Sequence, residues 1–186
     1  MIFYIAFALI LIYFIIIYNS LVSVKNNVEK AWANIDVLLK QRHDELPKLV
    51  DTCKQYMQYE QETLNKVIQA RSQVFAAGES KNVGALGTAE GNLKSSLGHL
   101  FAVAESYPEL KANEQFMQLQ SRISGLESAL ADRREFYNDS VNINNVRIEQ
   151  FPDLFIARIF NFKAFDLLKF ASEDLKDVDI SQRFNG

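Results

Sequence analysis

Leu21-Val22-Ser23-Val24-Lys25-Asn26-Asn27-Val28-Glu29-Lys30-Ala31-Trp32-Ala33-Asn34-Ile35-Asp36-Val37-Leu38-Leu39 puts apolar residues at 21, 24, 28, 31, 35 and 38. Steps of three and four are the spacing of one buried helix face. The stripe continues through Leu46, Leu49, Cys53, Met57, Leu64, Val67 and Val74. Pro47 falls inside it. A mid-helix proline removes one hydrogen bond and crowds the preceding turn. The stripe nevertheless keeps its phase across Arg42, Leu46, Leu49 and Cys53, and no glycine or turn cluster surrounds the proline. These residues predict one long helix kinked at Pro47. The alternative is a second helix starting there, capped by Asp44.

Upstream, Met1 through Val24 carry no charged side chain. Eighteen helical residues cover about 27 Å, close to the ~30 Å hydrocarbon core of a bilayer. Tyr4, Tyr13 and Tyr18 stand near the ends of the run, where amphipathic rings favour the interface. The competing reading is a cleaved signal peptide, but no Lys or Arg precedes Lys25 and Tyr18-Asn19-Ser20-Leu21 is a poor cleavage site. Residues 1–22 are therefore expected to be a retained transmembrane anchor in contact with the lipid bilayer. Lys25, Lys30, Lys40 and Arg42 follow the span, so the positive-inside rule puts the large domain in the cytoplasm and the N-terminus outside.

Downstream, Ala76-Ala77-Gly78-Glu79-Ser80-Lys81-Asn82 reads as a stop and a loop. Gly84, Gly87 and Gly91 weaken the start of the next helix, which is firm over about 89–106. Tyr107-Pro108 ends it, because the residue before proline avoids the α region. Asn113 is a good N-cap for a third helix. Its stripe is Phe116, Leu119, Ile123, Leu126, Leu130, Tyr137, Val141 and Ile148, and Phe151-Pro152 ends it. The fold class expected is all-α: an N-terminal transmembrane helix, then an antiparallel up-and-down bundle over 23–170. The bundle has three long helices and a short C-terminal fourth. Residues 171–186 are acidic and polar, and are expected to form a flexible tail.

The net charge of −3 gives no field that attracts nucleic acid. Cys53 is the single cysteine, so no intrachain disulfide is possible. His43 and His99 are isolated, and no metal, phosphate-loop or dinucleotide motif occurs. Asn138–Glu149 resembles a calcium loop but lacks its turn glycine and reads as helix. No metal, cofactor or catalytic group is expected.

Two sets of residues remain as candidates. Arg42, Glu60, Arg71, Glu127, Arg134, Asn138 and Asn145 fall on or beside the apolar stripes. They read as a polar layer within the bundle, where buried charges must be paired. Asp36, His43 and Asp44 read as solvated positions around the kink. The second set is the Phe-rich segment, with Phe151, Phe155, Phe160, Phe162, Phe165 and Phe170 interleaved with Arg158 and Lys163. It closes the bundle as a short helix, or docks on bilayer or partner.

Several of these motifs together resemble the LemA family. They are Tyr18-Asn19-Ser20-Leu21-Val22 after the anchor, Ala31 through Arg42, Leu46-Pro47-Lys48-Leu49-Val50, Phe101 through Asn113, Tyr137-Asn138, Val141, Asn145 and Phe151-Pro152. Asn144 stands where that family usually has Tyr, and Asn161 where a Gly is usual. Asn tolerates the left-handed conformation, so the turn is expected to survive. The resemblance implies a single-pass bacterial inner-membrane protein with a four-helix cytoplasmic bundle and no established biochemical activity. It also implies envelope roles, including membrane proteases as partners and magnetosome membrane formation. The function expected is that of a membrane-tethered adaptor or scaffold, with protein partners or self-association. The alternatives are a self-assembling membrane organiser and, more remotely, a cryptic hydrolase using Glu60 or Glu127.

Overall fold

The structure is a computed structural model and describes residues 1–169. Among these it holds six helices and no strand. They are α1 (Ile2–Lys54), α2 (Gln61–Glu79), α3 (Val83–Ala104), α4 (Pro108–Lys111), α5 (Glu114–Glu149) and α6 (Asp153–Ile159). The all-α expectation stands. The described residues form two compact units, Met1–Arg42 with Arg122–Leu167 and His43–Ser121 with Leu168 and Lys169.

In the first unit, α1 and α5 run antiparallel. Arg147 Nη2 donates to Ser20 Oγ at 3.1 Å, and Trp32 meets Tyr137 edge-on with ring centroids 5.5 Å apart. As the number rises on one helix it falls on the other. Side chains from Ile2 to Ile16 are exposed, and burial begins at Ile17. The inward seam then runs Ile17, Leu21, Val28, Ala31, Ile35 and Leu39 on α1, facing Ile123, Leu130, Tyr137 and Val141 on α5. Ile17 and Leu21 form one apolar cluster with Ile156 and Ala157 of α6, and Tyr18, Ile148 and Phe162 pack against it.

In the second unit the core is made of Leu46, Leu49, Cys53 and Met57, with Leu64 and Val67 of α2, Leu86, Leu93, Leu97 and Leu100 of α3, and Leu110 of α4. The α2–α3 pair turns through Ser80–Asn82. Asn82 caps α3 by accepting from the Ala85 amide at 3.0 Å, which lets the helix begin ahead of Gly84. Asn113 Oδ1 accepts from the Phe116 amide at 3.0 Å, as expected of a cap for α5.

Two features differ from the periodicity reading. Pro47 lies inside a continuous α1, so the alternative of a new helix at Asp44 is excluded. The helix does stop at Lys54, and the chain turns through Gln55–Glu60 before α2. The described residues therefore hold four long helices, α1, α2, α3 and α5, where three were expected. The physical signal is a gap in the stripe. Met57 and Leu64 are buried, but the seam positions one turn apart between them are Glu60 and Gln61, which carry no apolar group. Met57 plugs the core while its amide still bonds the Cys53 carbonyl at 2.8 Å.

Candidate functional site

Pro47 has no N–H, so the carbonyl of His43, four residues earlier, loses its helical partner. Arg71 of α2 replaces that partner. Its Nε donates to His43 O at 2.9 Å, and its Nη2 lies 2.6 Å from His43 Nε2. A guanidinium can only donate, so Nε2 accepts and the imidazole proton sits on Nδ1. The His43 ring stacks on Phe75 with centroids 4.4 Å apart. Desolvation first, and the neighbouring Arg71 charge second, hold the His43 pKa below its ordinary value. His43 is thus a neutral part of the proline repair. This corrects the expectation that it is a solvated position.

A second repair lies at the end of α6. The chain turns at Asn161, whose φ is 55°. Asn tolerates this left-handed conformation, as the departure from Gly anticipated. The segment after it, Phe162 to Leu167, has no regular structure. Side chains of α5 satisfy its backbone. Asn145 makes a two-way contact with Phe165, its Nδ2 donating to the carbonyl at 2.9 Å and its Oδ1 accepting from the amide at 3.0 Å. Asn144 Nδ2 donates to Lys163 O at 3.2 Å, and Tyr137 Oη donates to Asp166 O at 3.0 Å. Asn144, noted in the sequence only as standing where Tyr is usual, is 1% exposed and joins this set of contacts.

Of the candidate polar layer, Arg42 is buried, and Glu60, Arg71, Glu127, Arg134, Asn138 and Asn145 are half-buried. Arg42, Glu127, Arg134 and Asn138 all have interaction partners. Glu60 accepts from Tyr107 Oη at 3.3 Å, and desolvation together with this carboxylate raises the tyrosine's pKa. Glu60 and Arg71 belong to the second unit, while Arg42, Glu127, Arg134, Asn138 and Asn145 belong to the first.

The Phe-rich segment divides by exposure. Phe151, Phe155 and Phe160 are exposed, as are Arg158 and Lys163; Phe162 and Phe165 are half-buried. Phe170 and the expected acidic tail lie outside the described residues. Phe160 contacts Tyr18 and Phe14 of α1, with centroids at 4.6 and 6.1 Å. Arg147 of α5 pairs with Asp153 at the start of α6 while reaching Ser20. Burial pushes the Cys53 thiol up to about 12, so it is not a nucleophile at neutral pH. Among the described residues, no group of three or more His, Cys, Asp or Glu side chains could hold a metal ion.

α1 is long and apolar enough to cross a membrane, and the window that qualifies is almost wholly exposed. Magnetosome protein MamQ 2 of Paramagnetospirillum magneticum is 23% identical over 169 residues, covering 78% of this chain and 62% of the relative. This chain thus spans less than two thirds of that protein's length. Protein LemA of Metamycoplasma hominis is 28% identical over 171 residues, covering 90% of this chain and 75% of the relative. The sequence model of the LemA family matches residues 31–181, and the chain belongs to the LemA family.

Proposed function

We propose that this membrane-associated protein is a tethered helical adaptor that has no catalysis of its own. The observation that carries this reading is the way the apolar helix joins the domain. Ile17 and Leu21 are buried against Ile156 and Ala157, so the membrane helix enters a packed core with no linker between. A tether built this way fixes the first unit at the bilayer surface. The polar candidates also have structural tasks. Arg71 completes a helix, Asn145 and Asn144 hold a backbone strap, and Glu60 receives Tyr107.

The rest of the reading follows from charge. Lys25, Lys30, Lys40 and Arg42 orient the domain towards the bacterial cytoplasm, with a single crossing of the inner membrane. A fluorescent reporter fused after residue 186 that lights only in the cytoplasm tests this. The partner is a second membrane protein, with membrane proteases the first class to examine. In-cell crosslinking of the full chain, purification from membranes and mass spectrometry should recover such a protein. Recovery of self-crosslinked copies alone overturns the adaptor.

That outcome would favour the other reading, a self-assembling membrane organiser. Its supporting observation is the likeness to proteins named as magnetosome proteins. A chain that stays monomeric in detergent and in liposomes excludes it.

A further inference from the structure

α6 has two faces. Ile156 and Ala157 are buried at 4% and 2% exposure, against Ile17 and Leu21 of α1. The other face carries Phe155 and Ile159, exposed by 57% and 68% and four residues apart on α6, with Phe151, exposed by 80%, just ahead of the helix. Phe151 and Phe155 meet edge-on at 5.9 Å, so the stripe begins before the first helical turn. Such a stripe of large apolar groups calls for an occupant.

The neighbours of α6 identify that occupant. At its start, Asp153 pairs with Arg147, which also reaches Ser20. At its end, the Phe160 ring lies against Tyr18 and Phe14. α6 therefore climbs alongside α1 from the level of Ser20 to that of Phe14, and about 9 Å of helix separates those two residues. No charged residue occurs on α1 before Lys25, so this climb passes entirely within the uncharged stretch. A helix seated there with one side on α1 turns its other side to whatever surrounds α1.

We propose that the Phe151–Phe155–Ile159 face is a second membrane contact. α6 inserts into the boundary between headgroups and acyl chains beside the spanning helix, its three apolar side chains in lipid. Arg158, exposed next to this stripe, and Lys163, exposed beyond the Asn161 turn, reach the lipid phosphates. The strap held by Asn144, Asn145 and Tyr137 fixes the far end of the element, so the wedge is set by protein contacts before lipid covers it. This inference rests on the reading that the start of α1 spans the bilayer.

The test uses the full chain in liposomes of phosphatidylethanolamine and phosphatidylglycerol. Single nitroxide labels are placed by Leu9→Cys, Phe151→Cys, Phe155→Cys, Arg158→Cys, Ile159→Cys and Lys163→Cys in a Cys53→Ala background. Collision with oxygen reports lipid, and collision with a water-soluble nickel chelate reports water. Labels at 151, 155 and 159 should favour oxygen as the label at 9 does, several-fold more than labels at 158 and 163. If the label at 9 lies in lipid while those at 151, 155 and 159 meet the chelate, the inference falls and the anchor stands. Shielding of the three from both reagents also overturns it, since protein would then cover the face. A label at 9 that meets the chelate removes the anchor and the inference with it. Should a label disturb folding, Phe155→Trp with Trp32→Phe gives a second readout. Its fluorescence should be quenched by lipids brominated near the headgroup end of the chain, and absence of quenching overturns the inference.

Discussion

The turn of α1 around Pro47 and the strap from Phe162 to Leu167 are two places where side chains of another helix complete the backbone. They do so differently. At Pro47 a single orphaned carbonyl meets a cation, Arg71, which also grips the imidazole of the same residue. At the strap, three backbone carbonyls and one amide meet two neutral amides and a phenol. The first repair keeps a helix continuous through a residue that would break it. The second holds an irregular segment where no regular partner exists. A helix interrupted at one point needs one strong donor, while a strap needs donors and acceptors in register, which Asn supplies and Arg cannot.

That contrast sets the order of effects. Asn145→Leu removes both contacts to Phe165 and should cost about 3 kcal/mol, since a half-buried amide and carbonyl lose their partners together. Thermal unfolding in detergent measures the loss. Hydrogen exchange should rise first at the Phe165 amide, and well before amides of the α2–α3 pair. Asn144→Leu breaks one contact to the strap and should cost about 1 kcal/mol. Equal losses for the two would mean that the two-way grip of Asn145 has no special weight.

Arg71→Met falls between these two, at about 2 kcal/mol, because the His43 carbonyl is left without a donor. In a Pro47→Ala background the helix supplies that donor itself. The cost of Arg71→Met should then fall by about 1 kcal/mol, a coupling that a double-mutant cycle reads directly. An unchanged cost would show that Arg71 serves packing or the imidazole, and that Pro47 is incidental to it. Leu126→Ala, expected from the stripe to behave as a full core truncation, should cost only about 1 kcal/mol, because Leu126 is half-buried.

The legibility of these regions follows from their physics. Helical periodicity is a property of one segment at a time, so α1, α3 and α5 could be traced along the sequence. The caps at Asn82 and Asn113 and the phase across Pro47 are equally local. The stop at Lys54 was missed because no Gly or Pro marks it, and its trace was a turn of the stripe filled by Glu60 and Gln61. Arg71 and Asn145 were visible as polar residues beside apolar seams. Their tasks were not, because those depend on a carbonyl 28 residues away and on an amide 20 residues away. A pattern that finds faces does not find partners. The Phe-rich segment divides for the same reason. Phe162 turns in and Phe155 turns out according to the position of α1, which composition does not encode.

The smallest expected effect separates the two repairs by pH. His43 has a folded pKa below the ordinary value of about 6.5, because desolvation and Arg71 disfavour the imidazolium. The unfolded chain therefore binds a proton more readily at this site than the folded one. Stability is complete above the unfolded pKa, falls as pH drops through about 6.5, and levels off once the folded site also protonates. His43→Gln can still accept from Arg71 and should flatten this slope. The strap is held by the carboxamides of Asn144 and Asn145, which do not titrate, and by a phenol. Its amides are neutral throughout, and Tyr137 has its pKa raised above the usual value by desolvation first and by Asp166 second. Hydrogen exchange followed from pH 8 to pH 5, corrected for its intrinsic pH dependence, should then show loosening around His43 and α2 with protection at Phe165 unchanged. Loosening of both together would mean that the strap responds to the proline repair, and that the two sites act as one.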